Sequence, residues 1–212
     1  DGGRTWKIRF TPTQPGDWSY TTHFTDPGDR GLHNRAGTLS VLAPVSRLAT
    51  HRHGGFLRVS GDRRYLTYTD GTPFFWLGDT AWQLIRKSRR EDSPDQPAVA
   101  RYFERRAAQG FNVVQTSLGS SLTNSANAYG HTPFLEGDFS RPAVIPGPAN
   151  DYWDHVDHVL DLAAQHGIYV ALLPWWTDAI PDAHPLMSDP TVAYRYGHWL
   201  GVRYRERTHI FW

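Results

Sequence analysis

Hydrophobic and polar positions along the chain follow two different periods. Through the first forty residues they alternate. Trp6, Ile8 and Phe10 are separated by Lys7 and Arg9, and Trp18, Tyr20, Thr22 and Phe24 recur at every second position. That is the period of half-buried strands. A turn over 12–17, a polar loop and a last strand over 38–43 complete this region. So few antiparallel strands bury little by themselves. Residues 1–44 therefore predict the C-terminal part of a small β-sandwich domain, followed by a linker over 45–60. Short strands around Gly61-Asp62 and Asp70-Gly71 come next, the second Asp-Gly pair being a hairpin signal between Tyr68 and Phe74. This hairpin reads as a plug for one end of a barrel, with Phe74–Leu77 as the first barrel strand, filling its interior.

From Pro97 onward the period lengthens. Val99, Tyr102, Phe103 and Ala107 share one helical face, and Gly110 ends the helix. A buried strand, "FNVVQTS", follows. Asn150–His166 repeats the logic with Tyr152, Trp153, Val156, Val159, Leu160 and Ala163 on one stripe, Gly167 as the stop, and "IYVALLPWW" as the strand. Thr191–Arg207 and "HIFW" repeat it again. Strand, helix, strand in series predicts a parallel sheet with right-handed crossovers. Two closures satisfy this: a doubly wound open sheet, or half of a (β/α)8 barrel. The turn after Leu77 has one glycine where a dinucleotide fingerprint needs three, and no phosphate-binding P-loop occurs. The barrel is favoured, over residues 61–212. Both chain ends run into strand-like sequence, the pattern expected of a fragment cut after barrel strand four.

Composition sharpens the picture at a few points. The 212 residues carry 22 basic and 21 acidic side chains with no basic stripe, which argues against nucleic-acid binding through phosphate contacts. No apolar run is long enough to span a membrane. There is no cysteine, so disulfides, thiolate metal sites and a thiol nucleophile are excluded. Lys7 and Lys87 are the sole lysines, which favours fixed Arg–carboxylate pairs over mobile charge. Aromatic residues make up 14% of the chain and nine are Trp, a richness that suits flat rings lining an open cleft as well as a core.

In parallel α/β folds the ligand site lies beyond the carboxyl ends of the strands. Here the first strand is followed by Asp79, Thr80 and Trp82, the second contains Gln115, Thr116 and Ser117, and the third ends in Trp175 and Trp176 with Asp178 close by. The loop over 118–149 is long, a mark of functional loops, and contains "NAYGHTPF". Carboxylates accept hydrogen bonds from neighbouring hydroxyls, and indoles stack on the C–H face of sugar rings. Asp79, Trp82, Gln115, Asn127, Tyr129, Trp175 and Trp176 are therefore candidate saccharide contacts. Each has a structural alternative. Asp79 can cap a helix or pair with an arginine, Trp82 can be core, and strand alternation sends one of Trp175 and Trp176 away from the cleft. Gln115 can hydrogen-bond within the barrel, and Asn127, Tyr129 and His131 can simply order their loop. His51 and His53 have the spacing of metal-dependent amidohydrolase barrels but end a poor strand, and His155 and His158 suit packing. No nucleophile elbow is present. The reading calls for no metal and no cofactor.

Together, "WKIRFTPTQPGDWSY", "DGTPFFWLGDTAW", "RRAAQGFNVVQ", "NAYGHTPF", "YWDHVDHVLDLAAQHGIYVALLPWW" and "YGHWLGVRYRERTHIFW" resemble the apiosidase-like glycoside hydrolases, in order and over nearly the whole chain. The resemblance implies a TIM barrel preceded by a β-sandwich domain, a carbohydrate substrate from plant or microbial polysaccharide, and a periplasmic or extracellular location. It also implies two catalytic carboxyl groups, at the ends of barrel strands four and seven, hence beyond Trp212. Asp79, Glu136, Asp138 and Asp178 are then binding or loop residues. A non-catalytic carbohydrate-binding protein and a metal-dependent hydrolase using His51 and His53 stand as the alternatives.

Overall fold

The structure, a computed structural model, describes residues 12, 15–41, 55–119, 126–147, 149–176 and 184–212. The strand expected over 6–10, the His51/His53 pair, most of "GSSLT" and Asp178 lie outside the described residues.

Strands β1 (Gly16–Thr21) and β2 (Ala36–Val41) form an antiparallel pair. Tyr20 lies opposite Gly37, and its ring covers the backbone there, where any side chain would clash. Next come β3 (Leu57–Val59), β4 (Leu66–Tyr68) and β5 (Pro73–Phe74) in a three-stranded antiparallel sheet. The Asp70-Gly71 turn joins β4 to β5 as its sequence predicts, with the Gly71 amide donating to the Tyr68 carbonyl at 3.0 Å.

The first parallel strand is not Phe74–Leu77. It is β6, Gly78–Thr80. Pro73 and Phe74 belong to the antiparallel sheet, and Phe75, Trp76 and Leu77 are exposed in the connection. Asn112 fastens that connection from both ends of its amide: it accepts from the Leu77 N–H at 2.9 Å and donates to the Phe75 carbonyl at 2.6 Å. These bonds satisfy backbone that a strand partner would otherwise serve. Of the four apolar residues only Phe74 is buried.

After β6 come a short helix α1 (Leu84–Lys87), then α2 (Val99–Ala108), β7 (Val113–Ser117), α3 (Tyr152–Gln165), β8 (Tyr169–Leu173), α4 (Pro185–Ser188), α5 (Pro190–Tyr204) and β9 (Ile210–Phe211). The three long helices and three strands fall where the periodicity places them. Gly110 and Gly167 take positive φ at the predicted stops, 86° and 75°. Asp151 caps α3 by accepting from the Trp153 and Asp154 amides, with Asp154 returning the bond to the Asp151 N–H.

The four parallel strands lie in the order β6-β7-β8-β9. A doubly wound sheet reverses direction at a switch point. This order never reverses, so each right-handed crossover leaves its helix on the same face, as in a (β/α)8 barrel. The two sheet faces separate cleanly. Val114, Leu118, Val170 and Leu172 pack on Phe103, Val156, Leu160, Tyr196 and Leu200 of the helices. Val113, Tyr169, Ala171 and Phe211 face the other way, where Phe74, Leu57, Leu66 and Tyr68 close the amino end of the strands. The hairpin is thus the expected plug. Tyr169 fixes it further by donating to the Gly55 carbonyl at 2.6 Å.

Candidate functional site

Register fixes which side chains reach the barrel interior. Thr80 pairs with Gln115, Gln115 with Ala171, and Ala171 with Phe211. Paired residues in neighbouring parallel strands point to one side, so this row shares the inner face with the hairpin-covered residues below it. Above it, the strand tips are laced by their backbones. The Ala81 amide donates to the Gln115 carbonyl at 2.9 Å, Leu118 to Leu173 at 3.0 Å, and Trp176 to Gly119 at 2.8 Å.

Trp82 and Trp176 meet at these tips. Their ring centroids are 4.6 Å apart with planes inclined 36°, and the two residues remain 41% and 38% exposed. This pair of large, open apolar rings stands past the carboxyl ends of β6 and β8, on either side of β7, and presents a flat-sided apolar face. Trp175 goes the other way. It packs against Phe134 and Phe139 at 5.6 and 5.0 Å and joins the helix-side core. Its ring lies over Gly119, where an added Cβ would come within 2.1 Å. The two neighbours thus diverge, Trp176 open at the tips and Trp175 in the helix-side core, and the parity set by Val170 and Leu172 breaks once β8 ends at Leu173.

Asp79 is placed differently from the expectation. It pairs in register with Val114, a helix-facing residue, and so points out of the barrel. There its carboxylate accepts from Arg106 Nε at 2.6 Å and from the Tyr102 hydroxyl at 2.7 Å. Partial burial disfavours its ionisation, but the two hydrogen bonds and the Arg106 charge outweigh that and hold its carboxyl below the usual range. Tyr102 is correspondingly raised, by burial and then by Asp79. Asp79 is a pin between strand β6 and helix α2, on the opposite side of the sheet from Thr80 and Gln115.

Asn127 is a loop organiser. Its side-chain oxygen accepts from the Tyr129 and His131 amides at 3.0 and 3.1 Å, in a buried turn. Tyr129 receives the Arg90 amide on its hydroxyl at 2.7 Å and donates to Glu91 at 2.8 Å. It lines a separate cavity of about 330 Å³ with Arg90, Glu91, His131, Asn150 and His155. Sequence reasoning missed this cavity, because it is built where the segment after α1 meets the start of α3. The remaining carboxylates of interest are engaged locally. Glu136 pairs with Arg141 at 3.0 Å, and Asp138 accepts from the Ser140 amide and hydroxyl, which lower its pKa. Among the described residues no three metal-ligating groups converge, and no helix is long and apolar enough to cross a membrane.

Comparison with known proteins places this geometry in context. Residues 60–212 match the family model described as "Apiosidase-like, catalytic domain". A solved glycoside hydrolase is 30% identical with a TM-score of 0.61, over 74% of this chain and 33% of its own. A glycoside hydrolase family 5 structure from Bacteroides vulgatus ATCC 8482 is also 30% identical, with a TM-score of 0.62, over 74% of this chain and 32% of its own. A further structure from that organism, provisionally called a glycoside hydrolase, shares the fold over 97% of this chain at 22% identity and a TM-score of 0.56. The chain thus spans about a third of the length of the first two. No curated protein matches it.

Proposed function

This chain belongs to the apiosidase-like catalytic-domain family, and from that premise we propose that its strand tips form the saccharide-binding half of a glycoside hydrolase cleft. The observation that carries the reading is the open Trp82–Trp176 pair at the strand tips, together with the register row of Thr80 and Gln115 on the inner face. The indoles supply flat apolar faces for sugar C–H groups, and the row below supplies an amide and a hydroxyl for sugar oxygens. Plant or microbial polysaccharide, exported material reached outside the cytoplasm, is the substrate class.

Glycoside hydrolysis calls for two carboxyl groups flanking the scissile bond. Asp79, Glu136 and Asp138 do not take that role in this reading, since Arg106, Arg141 and Ser140 already hold them. The chain supplies binding walls, and the proton-transfer carboxylates belong to other barrel segments. Residues 1–44 are proposed as part of a β-sandwich domain with a linker over 45–60. The family match beginning at residue 60 and the self-contained β1–β2 pair support that division.

Affinity electrophoresis tests the reading. The chain is run through gels holding arabinose-, apiose- or galacturonate-containing glycans. Retardation by at least one glycan is expected, lost when Trp82 and Trp176 are both replaced by Ala. Unretarded migration in every gel, or retardation untouched by the double substitution, would refute it.

A further inference from the structure

The cavity lined by Arg90, Glu91, Tyr129, His131, Asn150 and His155 shares no residue with the Trp82–Trp176 face. Its volume of about 330 Å³ is at the lower end of ligand pockets and suits one ring rather than a chain. Its walls carry one cation, Arg90, and two anions, Glu91 and Asp151. Glu91 pairs with Arg89 at 3.7 Å, and Asp151 spends its carboxylate on the Trp153, Asp154 and Ile145 amides. With both anions engaged, the pocket holds no cluster of like charge that would select an ion.

Its polar atoms are not used up. Arg90 holds Asn150 through Nη1 at 2.7 Å, yet its Nε is buried without a partner, and so is His131 Nδ1. Buried unpaired nitrogens of this kind are unfavourable until something pairs with them. His155 forms the back wall, tied to the Ser88 hydroxyl through Nε2 at 3.2 Å. Burial, with the nearby Arg90 and His158 charges, keeps it neutral by lowering its pKa to about 4. Glu91 accepts and Arg90 donates, with the Asn150 amide beside them. The Tyr129 and His131 rings lie nearly parallel, inclined 22°, and add an apolar flank. Donors and acceptors alternating around a small cavity with one apolar side match a neutral polyhydroxylated ring.

We propose that this cavity is a second saccharide pocket, taking a single uncharged sugar residue. It would hold a branch or a neighbouring stretch of the glycan gripped at the strand tips. The proposal rests on the reading that this chain serves glycans, and its test separates the two. Aromatic and indole NMR signals of the 212-residue chain are followed during titration with D-galactose and L-arabinose. The His131 and His155 imidazole signals are expected to shift and saturate with at least one sugar, and to do so equally in Trp176→Ala. In Glu91→Gln and in His131→Ala the affinity should fall about tenfold, the loss of one strong hydrogen bond. The buried Trp153 indole signal reports that each variant is folded. Imidazole signals that stay fixed with both sugars overturn the proposal, as does a response unchanged in the two pocket variants. Failure of the strand-tip reading is seen elsewhere, in Trp82 and Trp176 indole signals that ignore glycan oligosaccharides.

Discussion

Two residues separated by three positions show how much depends on which way a side chain points. Asp79 and Trp82 both follow the apolar run that opens the barrel, and both suit a sugar by chemical type. Register separates them: Asp79 goes out to Arg106 and Tyr102, Trp82 stays at the tips beside Trp176. The arginine alternative for Asp79 could be read in the sequence, but choosing it required the strand's start, and a one-residue slip exchanges the faces. Trp175 and Trp176 were easier, because adjacent residues had to diverge. Two outcomes follow at this scale. Asp79→Asn should cost about 1–2 kcal/mol in urea unfolding, as the Arg106 charge loses its ionised partner, while glycan retardation stays at the wild-type level. Trp176→Ala should leave stability nearly unchanged and weaken glycan binding about tenfold, since an exposed ring contributes more to the ligand than to the core.

Among the elements, the long helices and their strands were legible because an apolar stripe and an apolar strand recur three times, twice with a glycine stop between them. The first strand was not, because four apolar residues in a row fit a buried strand, and the amide of Asn112 that holds the connection lies 35 residues away from Leu77. The segment joining β8 to its tip makes a second long-range dependence. Gly119 leaves room for the Trp175 ring, and its carbonyl receives the Trp176 amide. Gly119→Ala should therefore destabilise the chain by about 1–3 kcal/mol and weaken glycan binding with it, both measurable on one preparation. Helix α3 carries an acid-sensitive contact in His155, buried against the segment after α1. The folded chain resists its protonation until about pH 4. The unfolded chain takes that proton near pH 6.5, so stability falls as pH drops through this window, by up to about 3 kcal/mol from this group. Urea midpoints measured between pH 7 and 4.5 should decline, and His155→Gln should flatten the decline. An equally steep profile in the variant would assign the acid sensitivity to other groups, among them His158 and His184, whose pKa values burial also lowers.

At the level of the whole molecule, sequential strand order turns a list of βα units into one wall of a barrel, with a plugged amino end and an open carboxyl end. That architecture was readable in advance, since it needs only the repeat and the absence of a phosphate turn. The cavity near α3 was not, since its walls come from three segments that no local pattern joins. The outer edges of β6 and β9 pair with no strand among the described residues, and such edges invite further strands. With no pair of carboxylates free at the tips among the described residues, the 212-residue chain should bind glycans yet release no reducing sugar from them. The central claim is that sugar is held at the strand tips on the inner side of the sheet. A crystal structure of the chain with a bound arabinose-, apiose- or galacturonate-containing oligosaccharide tests it most directly. The account predicts a sugar ring stacked on the Trp82–Trp176 pair with its hydroxyls toward Thr80 and Gln115. Oligosaccharide bound only on the helix side, around Asp79 and Arg106, with the two indoles bare, would contradict it.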